Sequence, residues 1–402
     1  MPPEEQTKNH VKKDLRPSGL FFRRKSRQLF IGSVPVGGDA PIAVQSMAKT
    51  DTRDVSSTVA QIHLLQREGC EIVRVAVPDQ NAAKNLGSIK REIEIPLIAD
   101  IHFDHRLALE ALKQGVDGLR LNPGNIGRRE HVALVAKEAL QRRVPIRIGV
   151  NSGSLEKKLL RQYGHPSPDA LVESVLHNVR LLEDQGFDLI KISIKASDPL
   201  ATIVAYQKIS QLTEYPLHIG ITEAGPLFSG GIKSAVGLGI LLYQGLGDTI
   251  RVSLTADPTL EVKAAYHILR ALGLRRRGVE IISCPLCGRS ETNLIPAVRE
   301  VEERLSGWSE PLQVAIMGCP VNGPGEAREA DVGVAVGKGV ALLFRKGTVI
   351  RKIKEEEMVT ALISEAERIL KKIKEDNPCA FPECCSKLIK KTRQTPKRSA
   401  TS

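Results

Sequence analysis

From residue 40 to about 255, short runs rich in β-branched residues alternate with longer amphipathic stretches. The runs are IAVQSM (42–47), IVRVAV (72–77), PLIADIH (96–102), GLRLNP (118–123), IRIGVNS (146–152), LIKISIKA (189–196), LHIGIT (217–222) and TIRVSL (249–254). Between them lie segments such as STVAQIHLLQREGC and RLALEALKQG, which read as helices. Strand–helix alternation predicts a parallel sheet. Eight such units in about 230 residues have the count and size of a TIM (β/α)8 barrel. A doubly wound open sheet is the alternative, but no glycine-rich dinucleotide fingerprint follows the first run.

Buried parallel strands usually read as continuous apolar runs. These alternate instead. Ile146, Ile148 and Val150 interleave with Arg147, Gly149 and Asn151, and Ile190, Ile192 and Ile194 with Lys191, Ser193 and Lys195. Leu217, Ile219 and Ile221 interleave with His218, Gly220 and Thr222, and Ile250, Val252 and Leu254 with Arg251, Ser253 and Thr255. Arg74, Asp100, His102, Arg120 and Asn122 fit the same scheme. Successive strand residues point to opposite faces. Helices cover the outside of the barrel, so the polar set should face its axis. Several converging cations repel one another unless an anion joins them, and a buried unpaired charge is costly. This pattern points to a pocket for a phosphate-bearing small molecule at the C-terminal ends of the strands. The ordinary structural alternative is a set of salt bridges from Asp100 to Arg120 or Arg74, but one acid cannot pair them all.

After GLRRRGVE (273–280) the beat changes. Strand GVEIIS, helix NLIPAVREVEERLS (293–306), strand LQVAIMG (312–318), a hairpin of DVGVAVG and ALLFRKG, and a helix from about Glu355 to Lys374 make a smaller α+β domain. The expected organisation is a basic extension (1–22), the barrel (23–274), the second domain (275–374) and a basic, disordered tail (375–402).

The net charge of +12 changes the picture little once it is located. Residues 1–30 carry +5 and residues 371–402 carry +6, which leaves +1 on the 340 between. A nucleic-acid-binding body should cluster its basic residues on the fold, usually with aromatics. Aromatics are only 3 % here, so no nucleic-acid partner is expected. No apolar run approaches the ~20 residues of a membrane helix, and the polar N-terminus lacks a secretory apolar segment. The expected location is cytoplasmic, with no membrane partner.

An odd count of seven cysteines in such a chain argues against a disulfide framework. Cys70 reads as core packing. Cys284 and Cys287, in SCPLCGRSE, can hold one metal centre from a single turn. Cys319, in GCPVNGPGE, lies 32 residues further on, at the end of what reads as a neighbouring strand in the same domain. Zinc would want a second paired motif or a nearby His, and none is in this domain. A thioredoxin-type pair would leave Cys319 unused. A [4Fe-4S] cluster with three thiolates and one different ligand fits better. Glu326, seven residues after Cys319, is a candidate fourth ligand; an open iron site is the alternative.

APIAVQSM, ADIHFD, LRLNPGNIG, PIRIGVNSGSLEK, LHIGITEAG, GLGDTIRVSL, CPLCGR and GCPVNGPGEA together resemble the bacterial 4-hydroxy-3-methylbut-2-enyl diphosphate synthase family of the methylerythritol phosphate route to isoprenoids. The likeness runs from about Arg23 to Lys374. It implies a TIM barrel followed by a [4Fe-4S] domain. It also implies reduction of 2-C-methyl-D-erythritol 2,4-cyclodiphosphate by two electrons, with ring opening and loss of water. By this resemblance Cys284, Cys287, Cys319 and Glu326 are cluster ligands. Arg74, Arg120, Arg147 and Lys195 hold the diphosphate, and Asn151, Asp100, His102, Arg251 and Ser253 are other barrel-mouth residues. Glu223 lies near the reacting carbons, Glu223 or His102 protonates the leaving oxygen, and Asn322 stands beside the cluster. Reduced flavodoxin or ferredoxin is the implied donor, and a head-to-tail homodimer the implied assembly. Ala48 and Lys49 depart from the family's usual Thr-Asn, which puts a small loop contact in doubt. About 20 residues separate barrel and second domain, which implies the two-domain form. Cys379, Cys384 and Cys385 fall outside the family core and read as incidental thiols. A pterin-type barrel would leave the cysteines unexplained, and a zinc-stabilised RNA-binding protein would leave the polar axis unexplained.

Overall fold

The structure, a computed structural model, describes residues 22–376 except 288–289, 291, 319–324 and 326–329. Cys319, Asn322 and Glu326 therefore lie outside the described residues, as do the tail cysteines and nearly all of both basic ends. The chain divides into two compact units, Met1–Arg276 and Arg277–Ser402.

The first unit opens with a short antiparallel hairpin, β1 (Leu29–Ile31) and β2 (Val34–Val36). Eight parallel strands follow: β3 (Ala43–Met47), β4 (Ile72–Ala76), β5 (Leu97–Asp100), β6 (Gly118–Leu121), β7 (Ile146–Asn151), β8 (Ile190–Lys195), β9 (His218–Ile219) and β10 (Thr249–Ile250). Their order is β8-β7-β6-β5-β4-β3-β10-β9, and a parallel bridge from Ile192 to Leu217 joins the two ends. The barrel expected from the eight-fold beat is present. Its helices are α1 (Val55–Arg67), α2 (Gln80–Glu92), α3 (His105–Lys113), α4 (Pro123–Ile126), α5 (Arg129–Gln141), α6 (Lys157–Tyr163), α7 (Pro168–Glu183), α8 (Pro199–Leu212), α9 (Leu227–Tyr243) and α10 (Pro258–Ala271). Asp54, Asp79, Asp104, Ser167, Asp198 and Asp257 precede helices and accept hydrogen bonds from their first-turn N–H groups. Each cap satisfies an orphan donor and marks where a helix begins.

The apolar set of each strand faces outward. Val73, Val75, Ile146, Ile148, Ile190 and Ile192 share one core with Ile62, Leu65, Leu86, Val175 and Leu269 of the helices. Each fully buried aliphatic side chain contributes about 1.5–3 kcal/mol, which offsets the cost of the polar axis. The hairpin closes the floor. Leu29, Ile31 and Val36 pack with Ala43, Ile72 and Ile98 at the starts of β3, β4 and β5.

Two sequence expectations need correction here. LHIGIT and TIRVSL form strands of only two residues each, not six. At Gly220 the β9 backbone passes so close to its neighbours that a methyl group would lie 2.6 Å from Arg251 O. The hairpin over 29–36 was also not anticipated.

In the second unit β11 (Val279–Ser283), β12 (Leu312–Met317) and β13 (Val332–Gly337) are parallel neighbours, and β14 (Val340–Arg345) and β15 (Thr348–Lys354) extend the sheet antiparallel. α11 (Ile295–Arg304) and α12 (Met358–Asp376) cover one face through Val301, Val314, Val334, Leu362 and Ala366. A smaller cluster of Ala315, Met317, Ala335 and Phe344 lies on the other. The α+β reading holds, with β15 as an additional edge strand. No helix among the described residues is long and apolar enough to cross a membrane.

Candidate active site

The period-two pattern turns Arg74, Asp100, Arg120, Arg147, Lys191, Lys195 and His218 into the barrel, and each is at most 8 % exposed. Pairing sets their heights: Asp100 stands beside Arg120, Arg120 beside Arg147, and Arg147 beside Lys191. Asp100 serves two cations. Its Oδ2 is 3.5 Å from Arg74 Nε and its Oδ1 3.2 Å from Arg120 Nη1. Arg120 Nη2 donates to Gly149 O at 2.8 Å, and Arg74 Nη2 rests on the Met47 sulfur at 2.7 Å.

A second acid was not anticipated. Glu261, 2 % exposed on α10, accepts from Leu254 N at 2.9 Å and pairs with Lys49 Nζ at 3.1 Å. Its Oε2 is 3.9 Å from Arg251 Nη2. The signal was present: 261, 265 and 269 form one buried stripe of α10, and a charge on such a stripe must be partnered. Lys49, the departure from the family pattern, thus makes an ion pair at the end of the barrel.

These acids do not balance the axis. Among the described residues no carboxylate lies within 4.0 Å of Arg147, Lys191 or Lys195. Arg147 Nε and Nη1, Lys191 Nζ, Arg120 Nε and Arg251 Nε are buried without a hydrogen-bond partner among the described residues. The salt-bridge alternative accounts for only part of the set. Burial, reinforced by neighbouring cations, pushes Arg147, Lys191 and Lys195 well below their ordinary pKa values. Burial also brings Arg74 down to about 10, with Asp100 opposing and Arg251 and Arg120 adding to the fall. An anion entering this barrel would reverse these shifts.

Burial alone would raise the Asp100 pKa, but Arg74, Arg120, His102 and Arg147 outweigh it and hold it below the usual range. A lowered folded pKa stabilises the fold above the unfolded value near ~3.9, and that contribution is lost as pH falls through the folded value. Asp100→Asn is expected to cost about 3–5 kcal/mol in urea unfolding at pH 7. The deficit should begin to narrow as pH falls below about 4 and close only below the lowered folded pKa, where the parent carboxyl is neutral in the fold as well.

Above the charged layer the mouth opens into a cavity of about 410 Å³ lined by His102, Arg120, Asn122, Asn125, Asn151 and Glu156, among others. His102 is more than half exposed and stands 3.5 Å from Arg120 Nη1. Asn122 accepts from Gly149 N at 2.9 Å. Ser253 is half-buried beyond β10, two residues past Arg251. Glu223 is exposed in the loop after β9, with its backbone in the left-handed region at φ 52°. A non-glycine residue there is uncommon and is held by its surroundings.

In the second unit Cys284 follows β11 directly, and its N–H donates to Ile316 O of β12 at 3.0 Å. Leu286, inside the paired-cysteine turn, has φ 59°. Ser290 Oγ lies 3.1 Å from Gly318 O, the residue before Cys319, and Ser290 N donates to Cys287 O at 2.8 Å. Parallel neighbours end on the same edge of a sheet, so the ends of β11 and β12 lie side by side, with Ser283 opposite Ile316. Two soft thiolates one turn apart suit an iron–sulfur or zinc centre. Among the described residues no three His, Cys, Asp or Glu side chains gather to hold a metal.

A closed parallel barrel with an under-neutralised cationic axis, followed by an α+β unit with a paired-cysteine turn, defines a two-domain TIM-barrel protein equipped for a polyanion. The chain belongs to the GcpE family: the GcpE TIM-barrel domain matches residues 26–266 and the GcpE protein C-terminal domain residues 280–368. It is 61 % identical over 349 residues to the 4-hydroxy-3-methylbut-2-en-1-yl diphosphate synthase (flavodoxin) of Geobacter sulfurreducens, covering 87 % of this chain and 99 % of the relative. It is 57 % identical over 353 residues to the protein of the same name from Maridesulfovibrio salexigens, covering 88 % and 99 %. Among solved structures, a dihydropteroate synthase from Stenotrophomonas maltophilia aligns with a TM-score of 0.46 at 12 % identity, over 62 % of this chain and 98 % of that one.

Proposed function

We infer that this chain reduces 2-C-methyl-D-erythritol 2,4-cyclodiphosphate to 4-hydroxy-3-methylbut-2-enyl diphosphate, as an iron–sulfur oxidoreductase of isoprenoid biosynthesis. The observation that carries the reading is the excess of buried cations over acids on the barrel axis, which a diphosphate would neutralise. Arg74, Arg120, Arg147 and Lys195 bind the diphosphate in this reading. Asn151, Arg251, Ser253 and Asn322 orient the rest of the substrate. Glu223 or His102 delivers a proton to the leaving oxygen, and both stand on the exposed side of the charged layer. Asp100 keeps Arg74 and Arg120 in place.

Cys284, Cys287, Cys319 and Glu326 are the proposed ligands of a [4Fe-4S] cluster, and the turn carrying Cys284 and Cys287 fits that role in its donor chemistry. When bound, the cluster supplies electrons singly and a Lewis-acidic iron. Reduced flavodoxin is the proposed donor, as the names of the relatives indicate for them; ferredoxin is the other option. A head-to-tail homodimer acting in the cytoplasm, without nucleic-acid or membrane partners, completes the reading.

Anaerobic purification followed by iron and sulfide analysis tests it. About four irons and four sulfides per chain are expected, with turnover of the cyclic diphosphate under reduced flavodoxin. One zinc and no sulfide after anaerobic reconstitution would remove the reductase reading.

A further inference from the structure

Lys195 is 6 % exposed, and its only nearby acceptor among the described residues is a histidine: His218 Nε2 stands 3.3 Å from Lys195 Nζ. On its other side His218 Nδ1 lies 2.8 Å from Thr249 Oγ1. His218 and Thr249 are 0 % exposed. Tyr206 Oη donates to His218 O and so fixes the strand carrying the imidazole. The next inward position of that strand is Gly220, where a methyl group would lie 2.5 Å from Lys195 Nζ. Both inward residues at this point of the barrel wall are thus shaped around one ammonium.

A protonated imidazole does not belong here. Burial, then Lys195, Arg147, Lys191 and Arg74, push the His218 pKa well below its ordinary value. A neutral imidazole has one N–H. With the proton on Nδ1 it donates to Thr249 and turns the Nε2 lone pair to Lys195. The other tautomer would set an N–H against the ammonium.

We propose that His218 is a positioning residue of the anion site: with its ring held by Thr249 and its tautomer set by the donor-only ammonium, it supplies the acceptor that holds Lys195 charged and in place. The proposal rests on the reading that Lys195 binds the diphosphate. The charged groups acting on Lys195 are Arg251, Arg147, Arg74 and Arg120, all cationic and none able to accept a hydrogen bond, so among the described residues His218 Nε2 is the acceptor its ammonium reaches.

The test is calorimetric binding of the cyclic diphosphate to anaerobic holoenzyme without reductant, between about pH 6.5 and 9.5. His218→Asn keeps a donor toward Thr249 and loses the acceptor. It should weaken binding about ten- to hundredfold and move the alkaline limb of the affinity profile to lower pH. His218→Gln places an acceptor near the Nε2 position and should recover most of both. Thr249→Val, nearly isosteric, should shift the limb in the same direction by less, and it carries the test if His218→Asn does not fold. Equal weakening by the Asn and Gln variants with an unmoved limb would mean packing only and overturn the proposal. Lys195→Met serves as the reference: parental affinity in that variant would end the Lys195 reading itself, whereas weak binding there with parental binding in every His218 variant would overturn the role of His218 alone.

Discussion

Gly149→Ala is expected to lower kcat/KM by about a hundredfold or more. The position faces inward on β7, and the added methyl would lie 2.5 Å from Arg120 Nε and 3.1 Å from Nη2. No real side chain tolerates that approach, so the guanidinium must leave. It would give up the bond from Nη2 to Gly149 O and the pairing of Nη1 with Asp100. Asp100 would then hold Arg74 alone. Because Arg120 lines the mouth cavity as well as the charged layer, its displacement both blocks and misaligns the proposed diphosphate site. Steady-state assays with reduced flavodoxin read the loss, and circular dichroism checks the fold. Parental kcat/KM in a folded variant would take Arg120 out of substrate binding.

The same glycine shows what could be read from the sequence. Its place in the inward set followed from alternation with Ile148 and Val150 alone. That it makes room for an arginine on the adjacent strand did not, because the clash is with a residue 29 positions earlier. The barrel was legible because eight repeats of one local pattern reinforce each other, and the cationic axis because strand periodicity sorts side chains without any tertiary information. The floor hairpin was not. LFIGSVPV is short, and its stability comes from Ile72 and Ile98, which are distant in sequence. β15 was missed for a different reason: TVIRKIK is exposed along nearly its whole length, so it carries no buried face to announce a strand. The pairing of Lys49 with Glu261 was equally hidden, since it joins residues more than 200 positions apart.

Arg147→Met should separate stability from function. Arg147 is 2 % exposed, with Nε and Nη1 unpartnered, and Arg74, Arg120 and Arg251 all oppose its charge. An uncompensated buried charge costs several kcal/mol, and even buried ion pairs are often neutral or stabilised by about 1–4 kcal/mol when well-packed apolar residues replace them. The ligand-free variant is therefore expected to unfold later than the parent, by about 2–4 °C for each kcal/mol gained. Diphosphate affinity should move the other way. Removing one partner from a desolvated charge pair costs enough to lower kcat/KM about a hundred- to thousandfold. The two expectations meet in one experiment: thermal unfolding with and without the cyclic diphosphate. The parent should gain strongly on binding and the variant little, so the order of their midpoints should invert when ligand is added. A variant that is less stable than the parent without ligand would mean that Arg147 is held by the protein itself, and the surplus of positive charge on the axis would no longer argue for an anion.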